Sequence, residues 1–221
     1  MTAPARARTD ERTPLRRVVI GTLIAGAVLL GVALHTQRGT GTFYFLSAVL
    51  AAVWLVGALA AGGVPRPVIT QRAVVAGVVV GVLAWVVFLV GDLLFREVPW
   101  LHHQITSVVG RADVGSRALV ILVALVNGIA EEAFFRGSLF ATFDEVAPPA
   151  AREHLGWDSP VVRTTAVYVV VTACAGNLTL VLASVLMGGL FAVQRRATHG
   201  IVTPAVTHLV WSVLMIVALP R

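Results

Sequence analysis

Residues 127–137 read NGIAEEAFFRG, and this stretch places three ionisable side chains, Glu131, Glu132 and Arg136, inside an apolar run from Leu119 to Phe143. If the run is a membrane helix, each charge near its centre costs about 2.5–3.5 kcal/mol on insertion scales. Three such charges in one segment need partners, a water-filled cavity, or both. Intramembrane charge of this kind predicts a functional site.

Helical spacing assigns the two carboxylates to different roles. Glu132 and Arg136 are four residues apart, so their side chains lie on one helix face and can neutralise each other. Glu131 is rotated about 100° away, and its neighbours one turn before and after are Asn127 and Phe135. We therefore expect Glu132 to serve structure and Glu131 to act as a general base. The alternative is that both glutamates share Arg136 in a buried ion network.

The composition indicates a polytopic membrane protein. Of the 221 residues, 57% are hydrophobic and only 13% are charged, with a mean hydropathy of +0.88, which is outside the range of soluble globular domains. The net charge of +6 comes from arginines scattered at segment ends. This distribution is typical of membrane topology and headgroup contact and does not indicate a nucleic-acid partner. A lone cysteine, Cys174, excludes an intramolecular disulfide.

The predicted fold class is all-α, a polytopic transmembrane helix bundle of about seven spans. Residues 1–17 are arginine-rich and are predicted to form a disordered basic tail. The N-terminal region then covers residues 18–116 and ends in an interfacial loop, and the core covers residues 117–221. Each span is near the ~20 residues that a bilayer requires, and we expect the C-terminal four to form the active-site pocket. The predicted spans are 18–34, 43–62, 73–95, 119–143, 161–175, 178–193 and 200–219.

Arginine positions also predict the orientation. With the basic tail in the cytoplasm, the loops before the third, fifth and seventh spans are cytoplasmic and carry pairs of arginines, such as Arg195 with Arg196. We therefore expect a multi-pass protein of the plasma membrane with a cytoplasmic N-terminus.

Small residues predict where helices pack closely. Gly77 and Gly81 have the Gly-x-x-x-Gly spacing of membrane helix contacts, and Gly188-Gly189 fits the same role. Gly176 lies between two apolar runs and predicts a tight helical hairpin.

His208 is the second polar group that needs an explanation. It lies within the last predicted span, where an imidazole without a partner is costly. Ser212 is four residues further along and points to the same side of the helix. Either His208 belongs to the same site as Glu131, or it makes a hydrogen bond that holds two helices together.

The arrangement Glu131-Glu132-x-x-x-Arg136, within a late apolar segment of a small polytopic chain, resembles the CPBP intramembrane proteases of glutamate type. That family includes the type II CAAX prenyl endopeptidases and the bacterial Abi or bacteriocin-immunity relatives. Its late His-x-x-x-Asn motif corresponds here to His208-x-x-x-Ser212, with serine in place of asparagine. The resemblance implies that Glu131 activates water, that Glu132 with Arg136 fixes the helix geometry, and that His208 with Ser212 polarises the scissile carbonyl.

One family element is missing. Relatives carry Phe-x-x-x-His in the span after the glutamates, and no histidine of this chain has phenylalanine four residues before it. The polar side chains in that region are those of Tyr168, Thr172 and Asn177. None of the three is assigned a catalytic role from the sequence.

A metal site is not expected. Catalytic zinc normally takes three protein ligands and a water, whereas the deep candidates are Glu131, Glu132 and His208, and Glu132 is engaged by Arg136. We therefore predict a metal-independent mechanism without a cofactor.

The predicted activity is that of an intramembrane endopeptidase acting on a membrane protein or a lipidated or other peptide substrate in the lipid bilayer. One alternative is a catalytically impaired relative that serves as a membrane binding or bacteriocin-immunity scaffold. Another is a proton-coupled carrier that uses Glu131, although no symmetrically placed broken helices are visible.

Overall fold

The computed structural model of the protein describes residues 5–37, 39–95, 97–98 and 116–218, and within these ranges every regular element is a helix. The elements, numbered in chain order, are α1 Ala5–His35, α2 Gly41–Ala60, α3 Gln71–Phe95, α4 Arg117–Glu132, a π-helical segment Ala133–Leu139, α5 Phe140–Val146, α6 Pro149–Glu153, α7 Pro160–Ala173, α8 Leu178–Thr198 and α9 Val202–Val217. The predicted polytopic helical bundle is confirmed.

Five helices are long and apolar enough to cross a membrane: Leu15–His35, Gly41–Ala60, Gln71–Leu94, Arg117–Val146 and Leu178–Thr198. The other two predicted spans are apolar helices of 14 and 16 residues, α7 and α9. At 1.5 Å per residue they are about 21 and 24 Å long, shorter than the ~30 Å hydrocarbon core. Seven apolar helices are therefore present at the predicted places, but two of them are short.

The N-terminal segment differs from the prediction of a disordered tail over residues 1–17, because α1 is helical from Ala5 onward. Alanine and arginine are good helix formers, and extending an existing helix costs less than nucleating a new one. The interfacial loop predicted between Arg96 and Arg117 lies largely outside the described residues.

Polar side chains begin three of the helices. The hydroxyl of Thr40 accepts a hydrogen bond from the Phe43 amide at the start of α2, and Ser159 caps α7 in the same way. The side chain of Asn177 accepts from the Leu180 amide at 3.0 Å and starts α8. Gly176 precedes it with φ +66°, which favours glycine. The predicted hairpin between α7 and α8 is therefore confirmed.

Helices α3 and α9 pack through the predicted glycine pair. A Cβ atom built at Gly77 would lie 2.7 Å from Cβ of Val206, and one at Gly81 would lie 2.8 Å from Cβ of Val210. Only glycine allows so close an approach of the two helices. The second predicted packing site is confirmed at Gly188 alone, since a Cβ atom at Gly189 would have no neighbour within 4 Å.

The π-helical segment carries the aromatic centre of the bundle. Phe134 and Phe135 are fully buried, and their ring centroids lie 5.2 and 5.0 Å from that of Trp54 on α2. The hydroxyl of Ser138 donates to the carbonyl oxygens of Ala58 and Gly63, at 2.7 and 2.9 Å. These contacts fix the segment against the end of α2, and they thereby fix the position of Arg136 within it. Single-turn π segments of this kind are frequent at functional sites.

Candidate active site

The centre of the site is one buried oxygen atom, Oε1 of Glu132. It accepts hydrogen bonds from Nη1 of Arg136 at 3.1 Å and pairs with Nδ1 of His208, also at 3.1 Å. Glu132 and Arg136 are both fully buried, and His208 is nearly so. The predicted pair of Glu132 with Arg136 is confirmed, and His208 joins it from α9.

Arg136 makes further contacts with helices α7 and α8. Its Nη2 donates to the carbonyl oxygen of Gly188 at 3.1 Å. Its guanidinium carbon lies 4.6 Å from the ring centroid of Tyr168 and 5.1 Å from that of Phe191. Cation–π contacts of this kind help to compensate a buried charge. Arg136 therefore connects the glutamate segment to the helical hairpin that follows it.

Glu131 points to a different partner. Its Oε2 accepts a hydrogen bond from the phenolic hydroxyl of Tyr168 at 3.1 Å. In the described part of the chain, Arg136 and His208 make no hydrogen bond to Glu131. Their charges are nevertheless close enough to interact with its carboxylate. The two adjacent carboxylates therefore have different direct partners, and in the described part of the chain they do not share Arg136 through direct ion pairs.

The imidazole of His208 is held in a fixed orientation. Its ring stacks on Phe191 with centroids 4.8 Å apart and planes inclined by 24°. The sequence leaves open whether His208 belongs to the site of Glu131 or links two helices, and its direct partner in the structure is Glu132. The physical reason is the rotation of α9 against α4, which the pattern within either helix does not determine. The alternative interpretation of His208 as a link between helices therefore describes a real contact.

A cavity of about 710 Å³ lies beside the cluster. Its wall is almost entirely apolar, and Asn127, Glu131 and Ser212 are among its polar lining residues. Of the two predicted carbonyl-polarising groups, Ser212 lines the cavity and His208 lies one turn behind it. Residues of α1, α2 and α3, among them Leu30 and Phe88, also contribute to the wall. The cavity therefore extends beyond the four C-terminal spans that were expected to form it.

Residues 113–214 match a protein-family model that is described as type II CAAX prenyl endopeptidase Rce1-like. This part of the chain, slightly less than half of its length, is similar to the Rce1-like family. No curated protein and no solved structure matches the chain. The Rce1-like segment contains Glu131, Glu132, Arg136, His208 and Ser212. The resemblance seen in the sequence is therefore confirmed at the level of the family, and this family consists of CAAX-type proteases.

The Rce1-like segment contains one site residue that the sequence analysis missed, Tyr168. Without the Phe-x-x-x-His histidine, the sequence gives no reason to choose Tyr168 over Thr172 or Asn177. The feature that could have pointed to Tyr168 is the glycine that packs against it, Gly188 on α8. A Cβ atom built at Gly188 would lie 2.9 Å from Cδ1 of Tyr168, so the glycine makes room for the tyrosine.

Ser138 of the Rce1-like segment is not arranged as a nucleophile. It is buried, and its hydroxyl hydrogen is directed to backbone carbonyl oxygens. No group of three or more histidine, cysteine, aspartate or glutamate residues is close enough to hold a metal among the residues that the structure describes. Metal independence remains a prediction.

Proposed function

We propose that this Rce1-like protein is an intramembrane endopeptidase, which hydrolyses a peptide bond of a membrane-associated protein or peptide with Glu131 as the base that activates water. The observation that carries the proposal is the different environment of the two neighbouring carboxylates. Glu132 is committed to Arg136 and His208, whereas Glu131 lines a large cavity and is held by a neutral hydroxyl.

The charges of the cluster support this assignment. Arg136 is always protonated and balances one carboxylate. The cluster is neutral if one further proton is shared between the second carboxylate and His208. With His208 protonated, Glu131 is ionised and can accept a proton from water, and the imidazolium Nδ1–H donates to Glu132. A neutral cluster is the form with the smallest cost in an apolar surrounding.

The proposed reaction follows from these states. Glu131 takes a proton from a water molecule while the water oxygen attacks the scissile carbonyl carbon. Ser212 at the cavity wall and the Nε2–H of His208 donate hydrogen bonds to the developing oxyanion. The carbon–nitrogen bond then breaks, and the proton held by Glu131 passes to the leaving amine nitrogen. The mechanism requires no metal or cofactor.

The test uses the full-length protein reconstituted in lipid nanodiscs. We would compare cleavage of a farnesylated Cys-a-a-X peptide, the same peptide without the lipid, and a set of single-span membrane peptides, with mass spectrometry of the products. Wild type is expected to cleave at least one of these classes, and Glu131→Gln is expected to lose at least ~100-fold in kcat. Glu145→Gln is the matched control, because Glu145 is exposed on α5 and should cleave as wild type does. Equal cleavage by Glu131→Gln and wild type would overturn the proposal.

A second candidate is a membrane binding scaffold without catalysis. It is favoured by the absence of the family's Phe-x-x-x-His motif. This function predicts that Glu131→Gln restores the wild-type phenotype to a deletion strain, whereas a variant with a bulky residue at Gly188, where a Cβ atom would already approach Tyr168 and Arg136, does not.

We also propose a plasma-membrane location with the N-terminus in the cytoplasm. Seven crossings from that side leave the C-terminus outside. Reporter fusions after residues 37 and 221 should then both be active as extracytoplasmic enzymes, and a cytoplasmic signal at either would contradict this topology.

A further inference from the structure

Tyr168 has no role in the mechanism described so far, although it is the direct hydrogen-bond partner of the proposed base. We propose that Tyr168 is a positioning residue, whose hydroxyl fixes the carboxylate of Glu131 in the orientation that takes a proton from water. The inference rests on the proposed function of Glu131 and goes beyond it. It assigns a role to a residue on α7, a helix that supplies no predicted catalytic group.

The first argument is the contact itself. The phenolic hydroxyl donates to Oε2 of Glu131 at 3.1 Å, and a carboxylate has a second oxygen that can receive the proton of water. A hydrogen bond to one oxygen stops rotation of the group about its last torsion, which is otherwise broad. Glu131 is then held with its second oxygen in a constant direction.

The second argument is that the ring of Tyr168 is itself immobile. The edge of Phe135 approaches it with centroids 4.9 Å apart and planes inclined by 80°. The guanidinium of Arg136 lies against its face, at 4.6 Å from the centroid. Gly188 closes the remaining side, where a Cβ atom would lie 2.9 Å from Cδ1. A donor held on three sides can position its acceptor, whereas a mobile donor cannot.

The third argument is that the Tyr168 side chain contacts both the proposed base and the buried arginine. The hydroxyl of Tyr168 holds Glu131, and its ring covers the arginine that pairs with Glu132. Tyr168 therefore sets the position of the proposed base relative to the cluster that contains His208. A tyrosine that served packing alone would require the ring but not the hydroxyl.

The central experiment separates the hydroxyl from the ring. Tyr168→Phe removes the donor, replacement by 4-methylphenylalanine keeps the volume without the donor, and replacement by 4-aminophenylalanine restores an N–H donor. The first two are expected to lower kcat roughly 10- to 100-fold with KM changed less than about twofold, and the third is expected to recover most of the loss. Wild-type kcat in Tyr168→Phe and in the methyl variant would overturn the inference, and so would an equal loss in the amino variant. If Tyr168→Phe fails to fold, the two larger rings decide the question.

A second pair of variants acts on the ring from α8. Gly188→Ala forces the tyrosine ring to shift, whereas Gly189→Ala places its methyl group in open space. We expect Gly188→Ala to lower kcat as Tyr168→Phe does and to add little to it in the double variant, because both changes break the same contact. Gly189→Ala should retain wild-type kcat. Fully additive losses for Gly188→Ala and Tyr168→Phe would contradict a common cause.

Failure of the inference can be distinguished from failure of the proposed function. Loss of cleavage in Glu131→Gln with full cleavage in Tyr168→Phe leaves the function intact and removes the role of Tyr168. Full cleavage in Glu131→Gln removes the function. A readout without substrate is the rate at which dicyclohexylcarbodiimide labels Glu131, measured by peptide mass spectrometry with Glu145 as internal reference. This rate should change severalfold in Tyr168→Phe and return in the amino variant, and an unchanged rate would overturn the inference.

Discussion

The Nδ1 atom of His208 and the Oε1 atom of Glu132 lie 3.1 Å apart, and the same oxygen accepts the hydrogen bond of Arg136. One buried atom thus joins α9 to the glutamate segment and to its arginine. Because these charges are removed from water, their energies are strongly coupled, and removal of one member affects the others.

Glu132→Gln is expected to destabilise the fold. The change leaves the charge of Arg136 without its buried counter-ion, and breaking a buried pair in this way costs roughly 3–5 kcal/mol. Unfolding of the reconstituted protein by steric trapping would measure the loss, with the exposed Glu145→Gln as control. Equal stability of the two variants would show that Tyr168, Phe191 and the Gly188 carbonyl alone compensate Arg136.

The contacts within one helix were predictable from the sequence, whereas those between helices were not. The i, i+4 spacing of Glu132 and Arg136 predicts their pair, and the structure confirms it. Which glutamate pairs with His208 depends on how α9 is rotated against α4. The residue spacing within each helix does not determine this rotation, so it cannot distinguish Glu131 from Glu132 as the partner. The π-helical geometry from Ala133 to Leu139 also departs from the regular 3.6-residue period that the prediction assumes.

The same distinction explains the other differences. The glycine spacing of Gly77 and Gly81 predicts a close helix contact, and the structure identifies α9 as the partner, which the spacing alone does not name. Tyr168 was not singled out because a tyrosine in an apolar helix is compatible with packing, and its hydrogen bond to Glu131 spans 37 positions in the chain.

Ser212 is expected to tune the rate without affecting the fold. It lines the cavity on α9, where its hydroxyl would donate to the oxyanion. Ser212→Ala removes that donor and should lower kcat roughly 10- to 100-fold, somewhat less than the loss of a well-placed oxyanion donor. Ser212→Asn supplies the amide that the family motif carries and should retain or exceed wild-type kcat. Equal kcat for Ser212→Ala and wild type would exclude Ser212 from the reaction.

Gly81→Leu is expected to separate α3 from α9. A Cβ atom at Gly81 would lie 2.8 Å from Cβ of Val210 and 3.0 Å from the carbonyl oxygen of Thr207, and the backbone cannot yield as a flexible side chain does. Overpacking of this kind costs about 1–3 kcal/mol. The control is Gly21→Leu on α1, since a Cβ atom there meets nothing within 4 Å. Comparable loss of stability in both variants would mean that leucine at any of these glycines disturbs the protein for another reason.

Ser138→Ala decides between the proposed glutamate base and a serine nucleophile close to it in sequence. The hydroxyl of Ser138 is used by the carbonyl oxygens of Ala58 and Gly63, so its loss removes a hydrogen-bond donor that ties this segment to the end of α2. We expect a stability loss of about 1–3 kcal/mol with kcat within roughly twofold of wild type, because the alcohol takes no part in a reaction driven by Glu131. Thermal unfolding and cleavage would be measured on the same nanodisc preparation. If Ser138→Ala abolished cleavage at unchanged stability, the attacking group would be the serine oxygen, and Glu131 would have to be reassigned from activating water to assisting that serine.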